Sequence, residues 1–243
     1  MRKSLKYLIF GLLTLGLVFG STSFAGAIEI QSVSGAWQNA VVQAPGWTAY
    51  EIDNSGDPVT IYWGLPAAPN TQQSGYEFMP EETPFEALTD GTAFALGTFT
   101  HENRPIYALD DREAYKGSGS LLSVELKLDL GIEGLGPVNA VFEFDHNETP
   151  NTNPDPRDIV TLTNPIVNEV FPYEGFEYYF NLIGFSQDGG ITISNVFYTN
   201  EDATNVATLY AKITSEPIGT PEPTTMLLLG LGLIGLAGVR RKM

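Results

Sequence analysis

The two histidines of this 243-residue chain are its best candidates for catalysis or metal binding, and each follows a strand-like segment. His101 lies in GTFTHENRPI (97–106), and His146 directly follows the alternating segment VFEFD (141–145). Two histidines and a carboxylate provide enough protein ligands for zinc. Because both histidines close a predicted strand, they could lie at the same end of a β-sandwich and share a metal ion.

A structural role is the alternative for His101, and the residue types around it favour that role. Thr100 and Asn103 are residue types whose side chains often bond to nearby backbone in turns. Pro105 restricts Arg104 to an extended conformation. A buried His101 could then donate a ring N–H to a carbonyl of the same turn. We therefore predict a turn after position 100, with Thr100, His101 and Asn103 fixing the loop.

Catalysis has weaker support in the sequence. No serine lies in a Gly-x-Ser-x-Gly nucleophile elbow, the arrangement that places a serine on a strand-to-helix turn. A glycosidase needs two carboxyls roughly 5 to 10 Å apart. Two pairs share a strand face by alternation, Glu125 with Asp129 and Glu143 with Asp145. Such pairs arise by chance on an acidic surface, so we expect no enzyme, with a secreted glycosidase-like hydrolase as an alternative.

The segments that must position these residues have the pattern of β-strands. In SVELKLDL (123–130), Val124, Leu126, Leu128 and Leu130 alternate with polar residues, which indicates a half-buried strand. Further strands are predicted at 28–33, 59–63, 92–100, 141–145, 158–163, 176–185, 191–198 and 206–213. Many short strands between turn signals favour an all-β fold, an antiparallel β-sandwich that could be jelly-roll-like.

Charge and cysteine content exclude several classes of function. Without its two ends, the chain has 28 acidic and six basic residues, a net charge of −22. Such a surface repels nucleic acid and anionic lipid, so we expect no nucleic-acid partner. The absence of cysteine excludes thiol catalysis and cysteine-based zinc sites. Calcium is the one cofactor that the composition suggests, because it prefers hard oxygen ligands. The candidate ligands are Asp110, Asp111, Asp145, Asn147, Asp155 and Asp158.

Both ends of the chain have the pattern of sorting segments. A basic head, an apolar run over 8–19 and the small residues Ala25 and Ala27 predict a signal peptide, 1–27, removed by signal peptidase after Ala27. At the other end, Pro221, Glu222 and Pro223 precede an apolar run over 226–239. The chain then closes with the basic residues Arg240, Arg241 and Lys242. This apolar run is short for a permanent membrane anchor.

The three parts of this tail resemble, in order, the PEP-CTERM sorting signal of Gram-negative bacteria. That resemblance implies processing by an exosortase, a membrane cysteine protease-transpeptidase. It implies transient anchoring in the inner membrane, then delivery to the cell surface or outside the cell, usually in a bacterium that makes exopolysaccharide and biofilm. The predicted organisation is a signal peptide (1–27), an exported sandwich (28–216), a linker (217–223) and a transmembrane sorting helix with a basic end (224–243).

The exported segment also resembles a group of PEP-CTERM proteins, the THxN family. Thr100, His101 and Asn103 stand in the named positions of that motif. IYWG (61–64), HNETPN (146–151) and NLIGF (181–185) are similar to that family and to choice-of-anchor K domains. The resemblance implies no established activity. It favours a structural or binding module of the cell surface, matrix or exopolysaccharide over an enzyme.

Aromatic residues leave a carbohydrate-binding module as a further alternative. Six are crowded into the first third of the chain: Trp37, Trp47, Trp63, Tyr50, Tyr62 and Tyr76. Exposed aromatic rings can stack on sugars, but large aromatic residues pack mostly in cores. We assign Trp63 to the core, and Trp47, which follows Pro45 and Gly46, is the better candidate for an exposed platform.

Overall fold

The computed structural model describes residues 26–43, 50–67, 69, 72–107, 119–149, 153–163, 169–218, 228, 230 and 231. Residues 1–25 of the predicted signal peptide, and nearly all of the predicted tail helix, lie outside these ranges. Within them, no helix has both the length and the apolar character needed to cross a membrane. The described part of the exported segment is built from β-strands.

In the described part of the chain, thirteen strands form two antiparallel sheets. They are β1 (Ala27–Val42), β2 (Tyr50–Asp53), β3 (Val59–Trp63), β4 (Ser74–Pro80), β5 (Phe85–Leu88), β6 (Asp90–Asn103), β7 (Leu121–Ile132), β8 (Val138–Asn147), β9 (Asp158–Leu162), β10 (Glu169–Tyr173), β11 (Phe176–Ser186), β12 (Val196–Thr199) and β13 (Ala203–Pro217). The first sheet has the order β12-β9-β8-β7-β1-β5, and the second has the order β10-β11-β13-β6-β4-β3-β2. The prediction of an all-β sandwich is confirmed.

Alternation along the strands builds the core between the sheets. In β7, Val124, Leu126, Leu128 and Leu130 are fully buried, as their period of two predicts. The two layers meet through aromatic rings. Phe99 of the second sheet lies 5.5 Å from Phe144 of the first, measured between ring centroids. The buried hydrophobic residues of both sheets form one core cluster.

The predicted strand at 191–198 is mostly wrong. Only Val196–Thr199 form a strand, and Ser194 makes an isolated bridge with Phe185. Upstream, the Asp188 carboxylate accepts hydrogen bonds from the Ser186 hydroxyl and the Thr192 backbone N–H. Local side-chain bonds of this kind compete with strand pairing, so the chain turns here before it enters the sheet.

Strands β2, β4, β5 and β10 were not predicted. β4 lies inside the second sheet, between β6 and β3, yet it begins with Ser-Gly and ends at Pro80. These turn-forming residues hide the strand in the sequence. Gly75 is required by close packing, since a Cβ there would lie 2.8 Å from the backbone oxygen of Ile61.

Gly184 is a second position where the backbone of another segment leaves no room for a side chain, and it can be tested directly. Its φ of +136° lies in a region that favours glycine, and an added Cβ would lie 2.2 Å from the Ser194 backbone oxygen. We expect Gly184→Ala to lower the free energy of unfolding by about 1–3 kcal/mol, because the backbone must move to admit the methyl group. Gly56→Ala is the matched control, since a Cβ there meets nothing within 4 Å. Equal urea-unfolding curves for the two variants would contradict the local geometry.

Candidate functional site

A cluster of buried polar side chains lies where strands of both sheets end. We call it the histidine cluster and define it as Tyr76, His101, His146, Asp158 and Thr199. β6 and β4 of the second sheet contribute His101 and Tyr76, and β8, β9 and β12 of the first contribute the others. The two imidazole rings lie 5.2 Å apart between centroids, so the cluster joins the two sheets across the core.

His101 lies in a strand and not in a turn, which corrects the sequence prediction for 101–103. β6 continues to Asn103 because it pairs on both sides: His101 opposes Asn205 of β13 and Tyr76 of β4. The chain leaves the sheet only at Arg104, whose backbone N–H donates to the Ser74 hydroxyl. Cross-strand pairing therefore outweighs the turn preferences of the THxN residues.

The surroundings of His101 are apolar on one side and polar on the other. Its side chain is fully buried, and the ring stacks on Trp63 at a centroid distance of 5.8 Å. Its Nδ1 lies 2.9 Å from the Thr199 hydroxyl. Its Nε2 has no hydrogen-bond partner among the described residues. The ring is thus held in place with one nitrogen unused.

His146 has a hydrogen-bond partner for each ring nitrogen. Its Nδ1 lies 2.6 Å from the Tyr76 hydroxyl, and its Nε2 lies 3.2 Å from Glu148 Oε2. The same Nε2 is 4.0 Å from Asp158 Oδ2. The sequence prediction that the two histidines share one end of the sandwich agrees with this geometry, and both lie inside it.

Asp158 is a fully buried carboxylate with one oxygen satisfied. Its Oδ1 accepts a hydrogen bond from the Thr149 backbone N–H at 2.7 Å, while Oδ2 has no hydrogen-bond partner in the described part of the chain. Burial raises the pKa of Asp158 to about 8, and the charge of Glu148 adds to the rise. The nearby Asn103 side chain acts in the opposite direction and lowers the pKa of Asp158. Its amide forms no hydrogen bond within the usual distance to any described residue.

Burial also controls the other titrating groups of the cluster. It lowers the pKa of His101 well below the usual value, with a further contribution from His146. It raises the pKa of Tyr76 well above the usual value, and the charges of Asp158 and Glu148 act in the same direction. The cluster on its own therefore favours neutral His101 and neutral Tyr76, which keeps the Tyr76 hydroxyl available as a donor.

Two sets of side chains bring ligand atoms close enough for a metal ion. His101, His146 and Asp158 each offer one such atom, and these atoms lie within 4.8 Å of one another. Glu148, Asp158 and Glu201 form a second set within the same limit. Asp158 belongs to both sets. Sequence reasoning missed Thr199, Glu148 and Glu201, and it did not place Tyr76 beside the histidines. Glu148 lies only two residues after His146, whereas Tyr76 and Thr199 reach the histidines through the fold.

The structure does not assemble the predicted calcium ligands. Asp145 and Asn147 are exposed and flank the buried His146 on β8, so they point to the opposite face. Asp155 is exposed and forms an ion pair with Arg157 at 2.8 Å. Asp110 and Asp111 lie outside the described residues. Of the six candidates, Asp158 is the one placed in the histidine cluster.

Three of the aromatic candidates lie in the core. Trp63 is fully buried, as predicted, and Trp37 and Tyr76 are buried with it. Trp47 lies outside the described residues. Among the carboxylates, Glu125 accepts hydrogen bonds from the Gln38 and Asn39 amides, and Asp129 pairs with Lys127, while Glu143 and Asp145 are exposed.

One open groove of about 400 Å³ lies on the outer face of the second sheet. It is lined by Tyr62, Gln72, Gln73, Glu77, Glu102 and Arg104. The Tyr62 hydroxyl donates to Glu77 at 2.6 Å, and Arg104 forms an ion pair with Glu102. The groove is polar and separate from the histidine cluster.

Comparison with protein families decides the nature of the C-terminal end. Residues 220–242 match the PEP-CTERM protein-sorting motif. The chain carries a PEP-CTERM tail. The match covers Pro221, Glu222 and Pro223 and the basic residues Arg240, Arg241 and Lys242, and it identifies the protein as exported and sorted by an exosortase. No curated protein matches the chain.

Proposed function

We propose that the protein is a non-enzymatic module of the cell surface or extracellular matrix, delivered there through its PEP-CTERM tail. The tail match at 220–242 is the observation that carries the proposal. The apolar run and basic end hold the exported chain at the inner membrane for exosortase, and cleavage then releases the sandwich. Its net charge of −22 suits an aqueous polysaccharide matrix, where it opposes self-association.

A structural or binding role is supported by where the chemistry-bearing residues lie. Both histidines are buried, so neither has the access to a substrate that general acid–base catalysis requires. The resemblance to THxN and choice-of-anchor K segments supports the same role. We propose exopolysaccharide as the partner of the mature domain, after signal peptidase and exosortase have acted on the precursor.

Carbohydrate binding is the second candidate, and the outer groove favours it. Tyr62 offers a half-buried ring there, and glutamine, glutamate and arginine side chains around it can hydrogen-bond to sugar hydroxyls. Tyr62→Ala should weaken retention on the organism's own polysaccharide. Tyr50→Ala, which removes an exposed ring on the neighbouring strand β2, is the matched control.

The strand pairing suggests where signal peptidase cuts. The Gly26 backbone N–H donates to the Thr89 hydroxyl at 3.2 Å, and its carbonyl accepts from the Thr89 N–H at 2.9 Å. Ala27, the first residue of β1, pairs with Leu88 of β5. Cleavage after Ala27 would remove these contacts, whereas cleavage after Ala25 would keep them. We therefore propose that the mature chain begins at Gly26, with small residues Ser23 and Ala25 before the cut.

Fractionation of producing cells tests the proposed location. Cytoplasm, inner membrane, surface-bound polysaccharide and medium are separated and probed for the sandwich domain. We expect mature protein in the surface or polysaccharide fraction. Protein found mainly in the cytoplasm, or held in the inner membrane with its tail intact, would overturn the proposal.

A further inference from the structure

We propose that the histidine cluster binds one divalent transition-metal ion of the zinc class through His101 Nε2, His146 Nε2 and Asp158 Oδ2. Glu148 supplies the fourth ligand. The site lies inside the sandwich and is independent of the sorting tail, so this inference stands apart from the proposed function. Its role is structural, because four protein ligands leave no open position for a substrate.

The first argument is the set of buried atoms without partners. His101 Nε2 and Asp158 Oδ2 are both fully enclosed, and neither has a hydrogen-bond partner among the described residues. Buried polar atoms in native proteins are nearly always satisfied. Their residues, His101 and Asp158, belong with His146 to a set in which each side chain places one ligand atom within 4.8 Å of the others. A single cation between them would satisfy both.

The second argument is that the remaining ring nitrogens are already held by hydroxyl groups. Thr199 can donate its own hydroxyl to the Asp158 carbonyl at 3.5 Å, so it can accept from His101 Nδ1 at 2.9 Å. His101 then carries its proton on Nδ1, and its Nε2 presents a lone pair. Histidine ligands of metals commonly donate their second N–H to such a partner, which fixes the ring orientation.

His146 can adopt the same arrangement by changing tautomer. In one tautomer, Nε2–H donates to Glu148 at 3.2 Å and Nδ1 accepts from the Tyr76 hydroxyl at 2.6 Å. In the other, Nδ1–H donates to the Tyr76 oxygen, and Nε2 presents its lone pair to the metal. The change also releases the Glu148 carboxylate, which lies beside the site and can bind the ion directly.

The distances suit a small cation after a modest contraction. For three atoms at most 4.8 Å apart, some point lies within about 2.8 Å of all three, whereas zinc bonds to nitrogen and oxygen are about 2.0–2.2 Å. Each ligand atom of His101, His146 and Asp158 must therefore move by less than about 1 Å. His146 Nε2 and Asp158 Oδ2 are already 4.0 Å apart.

The donor set selects the class of metal. Two imidazoles with carboxylates suit zinc and neighbouring transition metals, whereas calcium takes oxygen ligands alone. The ligands come from β6 in the second sheet and from β8, β9 and the segment after β8 in the first. The ion would thus join the two sheets of a chain that has no cysteine for disulfides.

Metal titration of the mature exported protein is the experiment. The protein is treated with a chelator, dialysed, and titrated with zinc chloride while bound metal is measured by mass spectrometry and melting is recorded. We expect one zinc per chain and a rise in Tm of about 5–10 °C at a hundredfold excess over Kd. An unchanged Tm at saturating zinc, or a shift with calcium but not zinc, would overturn the assignment.

Asp158→Asn separates ligation from folding. Asparagine keeps an oxygen for the Thr149 N–H and removes the anionic ligand, so the variant should fold and lose at least about a hundredfold in zinc affinity. Asp145→Asn, an exposed position on β8, is the matched control and should bind like the parent. Equal affinities for the parent and Asp158→Asn would contradict the site. If Asp158→Asn fails to fold, the parent titration decides alone.

Discussion

Replacing Pro221, Glu222 and Pro223 by three alanines is expected to abolish exosortase processing almost completely. These residues begin the matched motif, and the apolar run and basic end remain intact in the variant. The exported chain should therefore still reach the inner membrane but keep its tail. Its amount in the inner-membrane fraction should rise at the expense of the surface fraction, and its mass should include the residues up to Met243.

The chain offers a matched control for this variant. Pro154, Asp155 and Pro156 form a second Pro-acid-Pro sequence in the connection between β8 and β9. Three alanines there change the same residue types without touching the tail, so processing should be normal. Processing of the tail variant at the parental rate would show that the motif does not direct sorting. An equal defect in the control would show an effect on folding or export.

Trp37→Ala is expected to lower the free energy of unfolding by about 3–5 kcal/mol, the usual cost of removing a buried tryptophan. Trp37 is 1% exposed, and its ring contacts Tyr76, Phe99 and Phe144 at centroid distances of 5.9, 6.1 and 6.1 Å. Its indole N–H donates to the Val59 carbonyl at 3.1 Å, and alanine leaves that carbonyl without its partner. Both losses act on the contact between the two sheets.

Urea unfolding of chelator-treated protein measures this effect without any contribution from metal. Tyr50→Ala is the control, because Tyr50 is an aromatic residue that is 41% exposed on β2. Its cost should be below about 1 kcal/mol, as is usual for surface positions. If both variants unfold at the same urea concentration, the aromatic contact between the sheets does not hold the sandwich together.

Local patterns in the sequence were sufficient for much of the fold. The alternation of Val124, Leu126, Leu128 and Leu130 identifies β7 and its buried face, and that of Phe142 and Phe144 identifies β8. Period-two burial needs no knowledge of the partner strand. Period-two burial does not identify β4, because this strand contains Gly75 and Pro80, which are typical of turns. Its pairing with β3 and β6 makes it a strand.

The histidine cluster could be predicted only in part. That His101 and His146 end strands, and so could meet, follows from the sequence, but the turn assigned to the THxN residues is wrong. Thr100, His101 and Asn103 are residue types that favour turns, whereas this part of β6 pairs with β13 on one side and, as far as Glu102, with β4 on the other. Thr199 lies 98 positions from His101, and Tyr76 lies 70 from His146. A pattern within a short segment cannot predict contacts between residues so far apart in the sequence.

Intact mass of the protein recovered from the cell surface tests the central claim, export followed by removal of both ends. We predict a chain that begins at Gly26 and has lost the apolar run from Met226 onward. A start at Ile28 would correct the cleavage position but leave export standing. A recovered species that still contains both Phe10 and Leu231 would contradict the account.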